Sequence, residues 1–349
     1  MSKENFTAKD MNRDLAMARQ FRGLDSEASN EKDGTQAQQV PVGYVTIALS
    51  TQGNLFAPPF VYARSLKTSD MTQLSLLRSD KLPENNIRVI RDVISQDIDP
   101  STWHLNEVVE FMLKHYFIYF GSMLREIAWP MNEEDEQFLR DNDKEQYEAY
   151  LSGDYVPRVD VEASKVKFKS LDRPAKTFTV KSDSPSGGVF KFRLPQFGDI
   201  LTLRTYLKAE FGDMDAAYKP IADALNEDED AVPDDDRDAY LNYVAKKVDV
   251  SANANLALLL QEVDGRPVEG LEDALNTVLT DNRFDYNLSR KVKESADKFA
   301  EMFGVDPRVK MKNPVTGKTE TRRLSFRLYD ILQAIHLSKP DSYTVELDP

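Results

Sequence analysis

The residues best suited to phosphate chemistry in this chain are three neighbours, Gly317, Lys318 and Thr319. They match the end of a P-loop, in which backbone N–H groups and a lysine hold phosphates and a hydroxyl reaches Mg²⁺. The first glycine of that motif is missing, since Lys312 occupies its position. A P-loop also joins a buried strand to a helix, whereas the flanking residues here alternate like two short strands. The pattern favours a hairpin turn, and nucleotide hydrolysis stays open as an alternative.

The turn between these two strands has suitable residues at its bends. Pro314 presets φ, Gly317 accepts a positive φ, and Asn313 is a common turn residue. We therefore predict that Asn313, Pro314 and Gly317 form a structural turn. Six cations gather around it: Arg308, Lys310, Lys312, Lys318, Arg322 and Arg323. We interpret them as solvated side chains, with a local nucleic-acid-binding patch as the alternative.

The remaining candidates for chemistry are histidines and carboxylates. His104 and His115 would lie about 16 Å apart on one helix, too far to share a metal, so we predict structural or surface roles. The acidic run from Glu227 to Asp238 lacks the glycine and final glutamate of a calcium loop. We interpret the run as an exposed linker or helix start; a weak cation site or a metal-dependent hydrolase is the alternative.

Standard catalytic motifs are missing from the sequence. It contains no Gly-Xaa-Ser-Xaa-Gly elbow, no His-Glu-Xaa-Xaa-His pair and no glycine-rich dinucleotide loop. With no cysteine, it has no thiol nucleophile and no thiolate zinc site. We therefore predict a protein that is not an enzyme and has no catalytic, cofactor-binding or metal-binding residues.

Length and charge narrow the class of protein further. A chain of 349 residues is long enough for two or three domains. Its net charge of −14 argues against a general nucleic-acid binder and favours solubility or docking on a basic partner. Its apolar runs are too short for a membrane span, and its first residues lack the apolar core of a signal peptide. We expect a protein made in the cytoplasm.

Hydrophobic periodicity predicts an α+β fold, in which predominantly helical modules are joined by a small antiparallel β-module and a C-terminal β-hairpin. The clearest helix has apolar residues at helical spacing from Leu105 to Phe120 and ends at Gly121. We predict that it is the central packing helix of a small domain. The predicted segments are 1–45, an extended or disordered N-terminal arm; 46–152, a helical module with short N-terminal strands; 153–214, an antiparallel β-module leading into a helix; and 215–349, an acidic linker and C-terminal helical module with a hairpin at 305–326.

Individual elements follow from the same periodicities and from turn and cap residues. Further helices are predicted at 10–21, 71–77, 83–94, 199–211, 240–248, 256–263, 271–279, 288–303 and 328–335. An acidic amphipathic or frayed segment is predicted at 132–150. Strands are predicted at 42–49, 60–66, 159–161, 166–168, 178–180 and 189–194.

Several short segments resemble the baseplate hub proteins of T-even-type contractile-tailed phages. The first runs from Pro59 to Asp70 and continues through helices to Gly121, and the second runs from Phe190 to Asp199. The resemblance resumes at Phe303 to Val305 and continues to Arg327. Members of that family often carry a Cys-Pro-Xaa-Cys-Gly zinc knuckle. Here Asn313 to Gly317 occupies the similar turn without either cysteine, so zinc is not implied.

The resemblance implies a structural or assembly component of the tail baseplate that acts through protein–protein interfaces. Its partners would be other tail or baseplate proteins, with multiple copies in a symmetric assembly. It would be found in the host cytoplasm during assembly and then in the virion. The candidate interface residues lie in the resembling segments: Phe60, Tyr62, Arg64, Phe192, Pro195 and Phe197. A virion-assembly chaperone absent from the mature particle is an alternative.

Overall fold

The computed structural model describes residues 40–67, 69–70, 82–121, 123–183, 185, 187–227, 232–324, 326, 328 and 331. The helices of this part are α1 (Leu82–Val93), α2 (Leu105–Tyr119), α3 (Glu133–Asn142), α4 (Lys144–Ser152), α5 (Asp199–Glu227), α6 (Asp234–Leu259), α7 (Gly270–Thr280) and α8 (Tyr286–Ala300). Its strands are β1 (Tyr44–Ala48), β2 (Phe60–Arg64), β3 (Met123–Ala128), β4 (Arg158–Glu162), β5 (Lys167–Lys169), β6 (Thr177–Lys181), β7 (Val189–Arg193), β8 (Leu260–Val263), β9 (Arg266–Pro267), β10 (Gly304–Asp306), β11 (Arg308–Lys312) and β12 (Thr319–Arg323).

The predicted α+β class is confirmed: helices predominate, and the strands form small antiparallel sheets. The single β-module predicted at 153–214 is not what forms. Its strands enter three different sheets: β4 pairs with β3, β5 with β10, and β6 and β7 join β8 and β9. Partner choice is a tertiary property, since β10 lies more than a hundred residues after β5. Alternation along a strand does not specify its partner.

The chain divides into two compact units. Among the described residues, unit 1 contains those from 40 to 100, from 105 to 174 and from 301 onward, and unit 2 contains those from 101 to 104 and from 175 to 300. Three of the four predicted segments, 46–152, 153–214 and 215–349, contain residues of both units. The predicted C-terminal module is split, because its helices belong to unit 2 whereas its hairpin returns to unit 1. Pairing of β10 with β5 and of the Asn313 side chain with Asp135 explains that return.

Unit 1 is built around α2, whose side chains are buried on nearly every face. Val108, Phe111 and Leu113 are fully buried, and the helix packs against β1, β3 and β10. This is the central packing role that its aromatic-rich pattern predicts. At β10 the approach is close: a Cβ on Gly304, whose φ is +79°, would lie 3.1 Å from the Cβ of Asn106. Glycine at this position therefore satisfies both the backbone conformation and the packing.

The described residues of unit 2 form a four-stranded sheet, in the order β6-β7-β8-β9, and four helices. Phe190, Phe192 and Leu194 are fully buried beside β7, and the Phe178 ring lies 5.9 Å from that of Phe299 on α8. Helix α5 packs on α6, and α6 also packs on α7.

One predicted helix, 256–263, is correct only in its first half. Residues 256–263 end α6 and then form β8, because that segment pairs with β7. Three predicted helices, 10–21, 71–77 and most of 328–335, lie outside the described residues, as does most of the predicted arm. Among the described helices, none combines the length and the apolar character that crossing a bilayer requires.

Candidate functional site

The buried side chain of Asn313 stabilises the turn between β11 and β12 by hydrogen bonds. Its Nδ2 donates to Asp135 Oδ1 at 2.6 Å and to Glu320 Oε1 at 2.7 Å. Its Oδ1 accepts from the backbone N–H groups of Val315 at 2.9 Å and Thr316 at 3.2 Å. Asn313 is 1% exposed, so one buried amide uses both ends to fix the turn and tie it to another element.

The Gly-Lys-Thr sequence lies on this hairpin. Gly317 has a φ of +71°, as the predicted turn requires, and its N–H donates to the Asn313 carbonyl at 2.9 Å. The Lys318 ammonium forms an ion pair with Glu134, and Thr319 begins β12. A P-loop instead holds phosphate at the N-terminus of the helix that follows it. Here the next element is a strand that pairs antiparallel with β11.

The hairpin docks on the start of α3. Asp135 and the N-cap residue Asn132 form a capping box, and Asp135 Oδ2 accepts from the Trp129 indole N–H at 3.1 Å. The Arg322 guanidinium carbon lies 4.3 Å from the centre of the Trp129 ring, and Arg322 pairs with Glu320 at 2.9 Å. These contacts join residues 129–135 to 313–322. The turn predicted from Asn313, Pro314 and Gly317 therefore lies where the hairpin packs against the start of α3.

A buried polar stripe on α2 holds the loop between β1 and β2. Glu110, which is fully buried, accepts from the Ser50 N–H at 2.7 Å and the Ser50 hydroxyl at 2.6 Å. Lys114 Nζ lies 2.7 Å from the same carboxylate and donates to the Ala48 carbonyl at 2.6 Å. Glu107 accepts from the Thr51 hydroxyl at 2.9 Å. Sequence reasoning missed this stripe, although Glu107, Glu110 and Lys114 lie at the helical spacing of the neighbouring apolar residues.

Both described histidines are buried. His115 Nε2–H donates to the Arg64 carbonyl at 2.8 Å, and within the described residues its Nδ1 has no hydrogen-bond partner. Burial lowers the pKa of His115 to about 4, and burial lowers that of His104 to about 4 as well. His104 belongs to unit 2 and His115 to unit 1. In the described part of the chain, no three histidine or carboxylate side chains are grouped as a metal site would need.

The same arrangement of an arginine and an aspartate follows the end of β2 and the end of β7. Arg64 donates to Asp70 at 2.7 Å, and Asp70 also accepts from the Lys67 N–H at 2.7 Å. Arg193 donates to Asp199 at 2.6 and 2.8 Å, and Asp199 accepts from the N–H of Gln196 at 2.7 Å. In each case the aspartate follows the arginine by six residues, a signal that the sequence contains.

Asp70 also has a perturbed pKa. Burial would raise the pKa of its carboxyl, but the Arg64 guanidinium and the Lys67 N–H hold it below the ordinary value. The ionised form of Asp70 is therefore the one that pairs with Arg64 and accepts from the Lys67 N–H.

The six candidate interface residues differ in accessibility. Phe192 is fully buried in the sheet of unit 2 and Tyr62 is 7% exposed, so neither side chain is available to a partner. Arg64 is paired with Asp70, and Pro195 and Phe197 are half-buried. Phe60, at 42% exposed, is the most accessible of the set. For Phe192 the reason is alternation along β7, in which Phe190 and Phe192 are buried and their neighbours are not. Tyr62 is buried for a different reason, since β2 is covered on both faces and Val61, Tyr62 and Ala63 are all buried.

Part of the acidic run serves as a helix start. Asp234, Asp235 and Asp236 form the first turn of α6, where the helix dipole favours negative charge. Arg237 pairs with Asp234 at 2.7 Å, and Val232 before the helix is buried. This agrees with one of the two interpretations of the run, a helix start; residues 228–231 lie outside the described part.

Helix α6 carries an exposed apolar stripe that sequence reasoning did not single out. Leu241, Ala245, Val248 and Ala252 are all exposed, with Leu241 at 54% and Val248 at 61%. Their spacings of four, three and four residues place them along one side of the helix, as in the seam of a coiled coil. The buried side chains of α6, including Tyr243 and Ala254, occupy other positions.

Comparisons with protein-family models, with curated protein sequences and with solved structures found no match to this chain.

Proposed function

We propose that this protein is a non-catalytic structural or assembly component of a contractile phage tail baseplate, in the hub region, and that it acts through protein–protein interfaces. The exposed stripe on α6 is the observation that supports this proposal most directly. Four apolar side chains at heptad spacing on a surface helix present a seam that a partner helix can cover. The resemblance of Pro59–Asp70 and Phe190–Asp199 to hub proteins supplies the kind of assembly.

The same proposal gives the polar clusters of unit 1 a mechanical role. The Asn313 turn and the polar stripe of α2 use buried hydrogen bonds to hold hairpins and loops in fixed positions. Buried polar networks that are satisfied in this way give a segment a specific position. A component that presents surfaces to several neighbours needs such fixed positions. Partners would be other tail or baseplate proteins, with the chain in multiple copies, first in the host cytoplasm and then in the virion.

The test is to purify the full tagged chain from cells that produce the particles and to identify its partners by mass spectrometry. We expect tail or baseplate proteins to co-purify with the natural chain. Leu241→Gln together with Val248→Gln should reduce the yield of these proteins severalfold. The reason is that two apolar side chains that a partner would bury are replaced by polar ones. The control is Asn242→Gln with Lys246→Gln, which changes exposed polar residues of the same helix outside the stripe.

Two results would reject the proposal. One is co-purification without any tail protein, and the other is equal loss of partners in the stripe variant and its control. Mass spectrometry of mature particles then separates a resident component from an assembly chaperone. The chaperone would be bound to tail proteins in the cell and missing from the particle.

A further inference from the structure

An open groove runs over unit 1 where the β11–β12 hairpin lies beside β4. Its volume is about 990 Å³. Its lining residues belong to β4 and the short turn after it, to β5 and β10, and to both strands of the hairpin. We call it the basic groove and define it by Arg158, Lys165, Lys167, Lys310, Lys312 and Thr321. All of these residues belong to unit 1.

The hairpin divides the cationic cluster seen in the sequence into two faces. Arg308, Lys310 and Lys312 alternate with Val309 and Met311, which are buried on the opposite face. Arg322 pairs across from Val309 and packs on Trp129, so it does not line the groove. Lys165 and Lys167 join the groove from a distant part of the sequence. Tertiary structure therefore builds a different basic surface from the one that residues 308–323 suggest.

The groove is positive on an acidic protein. Its lining includes six cationic residues, counting Arg308, and three carboxylates: Asp160, Glu162 and Asp306. Arg308 pairs with Asp306 at 3.1 Å, and Arg158 pairs with Glu126 at 3.2 Å. In the described part of the chain, no ion pair is formed by Lys165, Lys167, Lys310 or Lys312. The positive charges of these exposed lysines are therefore available to pair with acidic groups of a ligand.

The spacing of these charges fits an extended polypeptide. Lys310 and Lys312 are two residues apart on β11, which places their Cα atoms about 6.8 Å apart. An extended peptide with acids at alternate positions has the same repeat. Among the described strands, β4 is bonded only to β3 and β11 only to β12. Each therefore keeps a free edge, and such edges bind added peptide strands.

We propose that the basic groove binds an acidic, extended segment of a partner protein. A nucleic-acid strand fits the lining less well. The lining includes no aromatic side chain on which a base could stack, and Asp160 and Glu162 would repel phosphates. A polypeptide can carry a cation opposite those two carboxylates. This inference deepens the proposed function by giving the chemistry of one partner, and it rests on that function only in expecting a protein partner.

The test measures binding of a fluorescent peptide of alternating glutamate and threonine to the full chain at low salt, by anisotropy. We expect saturable binding that weakens as salt is added. Lys310→Glu with Lys312→Glu should weaken it by about tenfold or more, because both contacts become repulsive. The control, Lys293→Glu with Lys298→Glu, makes the same charge change at exposed positions on α8 of unit 2 and should leave affinity within about twofold.

Three results would overturn the inference. They are no binding of the peptide to the natural chain, equal weakening by the control pair, and tighter binding of a single-stranded oligonucleotide of equal charge. The last result would assign the groove to nucleic acid. Failure here is distinct from failure of the proposed function, because the α6 stripe lies in unit 2 and is tested by different variants.

Discussion

The side chain of Asn313 gives the turn beside the Gly-Lys-Thr sequence a structural role. Its amide donates to two carboxylates, Asp135 and Glu320, and its carbonyl oxygen accepts from the turn that follows. In the Gly-Lys-Thr sequence, Lys318 pairs with Glu134 and Gly317 donates to the Asn313 carbonyl, but both residues are exposed. The phosphate-binding appearance of the segment comes from residue types, whereas its role in the fold comes from the buried asparagine before it.

Asn313→Asp should therefore destabilise the protein strongly. The change keeps the shape but replaces two donated hydrogen bonds with a third carboxylate between two others. We expect a loss of about 3 kcal/mol in the free energy of unfolding at neutral pH. Urea unfolding measures it, with the same chemical change at the exposed Asn242 as the control. If both variants match the natural chain, the buried amide has no structural role.

At the scale of elements, α2 combines an apolar core with a polar stripe. Its apolar residues alone would place it in the interior but would not fix which loop packs beside it. Glu110 and Lys114 do so, because they bond to Ser50 and Ala48 in and before the β1–β2 loop. Polar pairs also fix the chain after β2 and after β7. At the end of each strand an arginine forms an ion pair with an aspartate six residues later.

The Glu110–Lys114 pair should show strong coupling. Glu110→Gln removes the carboxylate that pairs with the nearly buried ammonium of Lys114. Lys114→Met removes the ammonium and leaves the buried carboxylate of Glu110 without its cation. We expect each change to cost about 3 kcal/mol or more. The double variant should cost less than the sum by at least about 1 kcal/mol, since neither charge remains unpaired. Chemical denaturation of all four proteins completes the cycle, and simple additivity would show that the pair is not a unit.

At the scale of the whole molecule, each unit contains one buried histidine among the described residues. His104 lies in unit 2 and His115 in unit 1, and burial lowers the pKa of each to about 4. Around His115, the Arg64 charge also lowers the pKa, whereas its hydrogen bond to the Arg64 carbonyl and the Asp70 charge raise it. Both imidazoles are therefore neutral in the folded protein near neutral pH.

This predicts that stability falls as the pH is lowered. In the unfolded chain a histidine titrates near its ordinary pKa of 6.5, so between about pH 6.5 and 4 the unfolded state binds protons that the folded state does not. At about pH 5 the loss should reach about 2 kcal/mol per histidine. Unfolding at about pH 7.5 and pH 5 measures it. His115→Gln should lose less on acidification than the natural chain; an identical loss would contradict the prediction.

Local residue patterns predict much of this fold because they depend on near neighbours. The helix at 105–120, the strands at 42–49 and 189–194, and the turn at Asn313 follow from periodicity and from residues such as Gly121, Pro314 and Gly317. Strand β8 is wrongly predicted as helix, since its pairing with β7 overrides an apolar pattern that suits either state. The interface residue Phe192 is misjudged because alternation along β7 shows two faces but not which one is buried. Tyr62 is misjudged because tertiary packing covers both faces of β2.

The sequence by itself determines the α+β class, most element positions and an acidic, cysteine-free chain. Only the tertiary structure decides the partners: β5 with β10, Asn313 with Asp135, and Lys165 and Lys167 with the lysines of β11 around one groove. The physical reason is range. Backbone propensity and periodicity act over a few residues, whereas these contacts join residues more than a hundred positions apart.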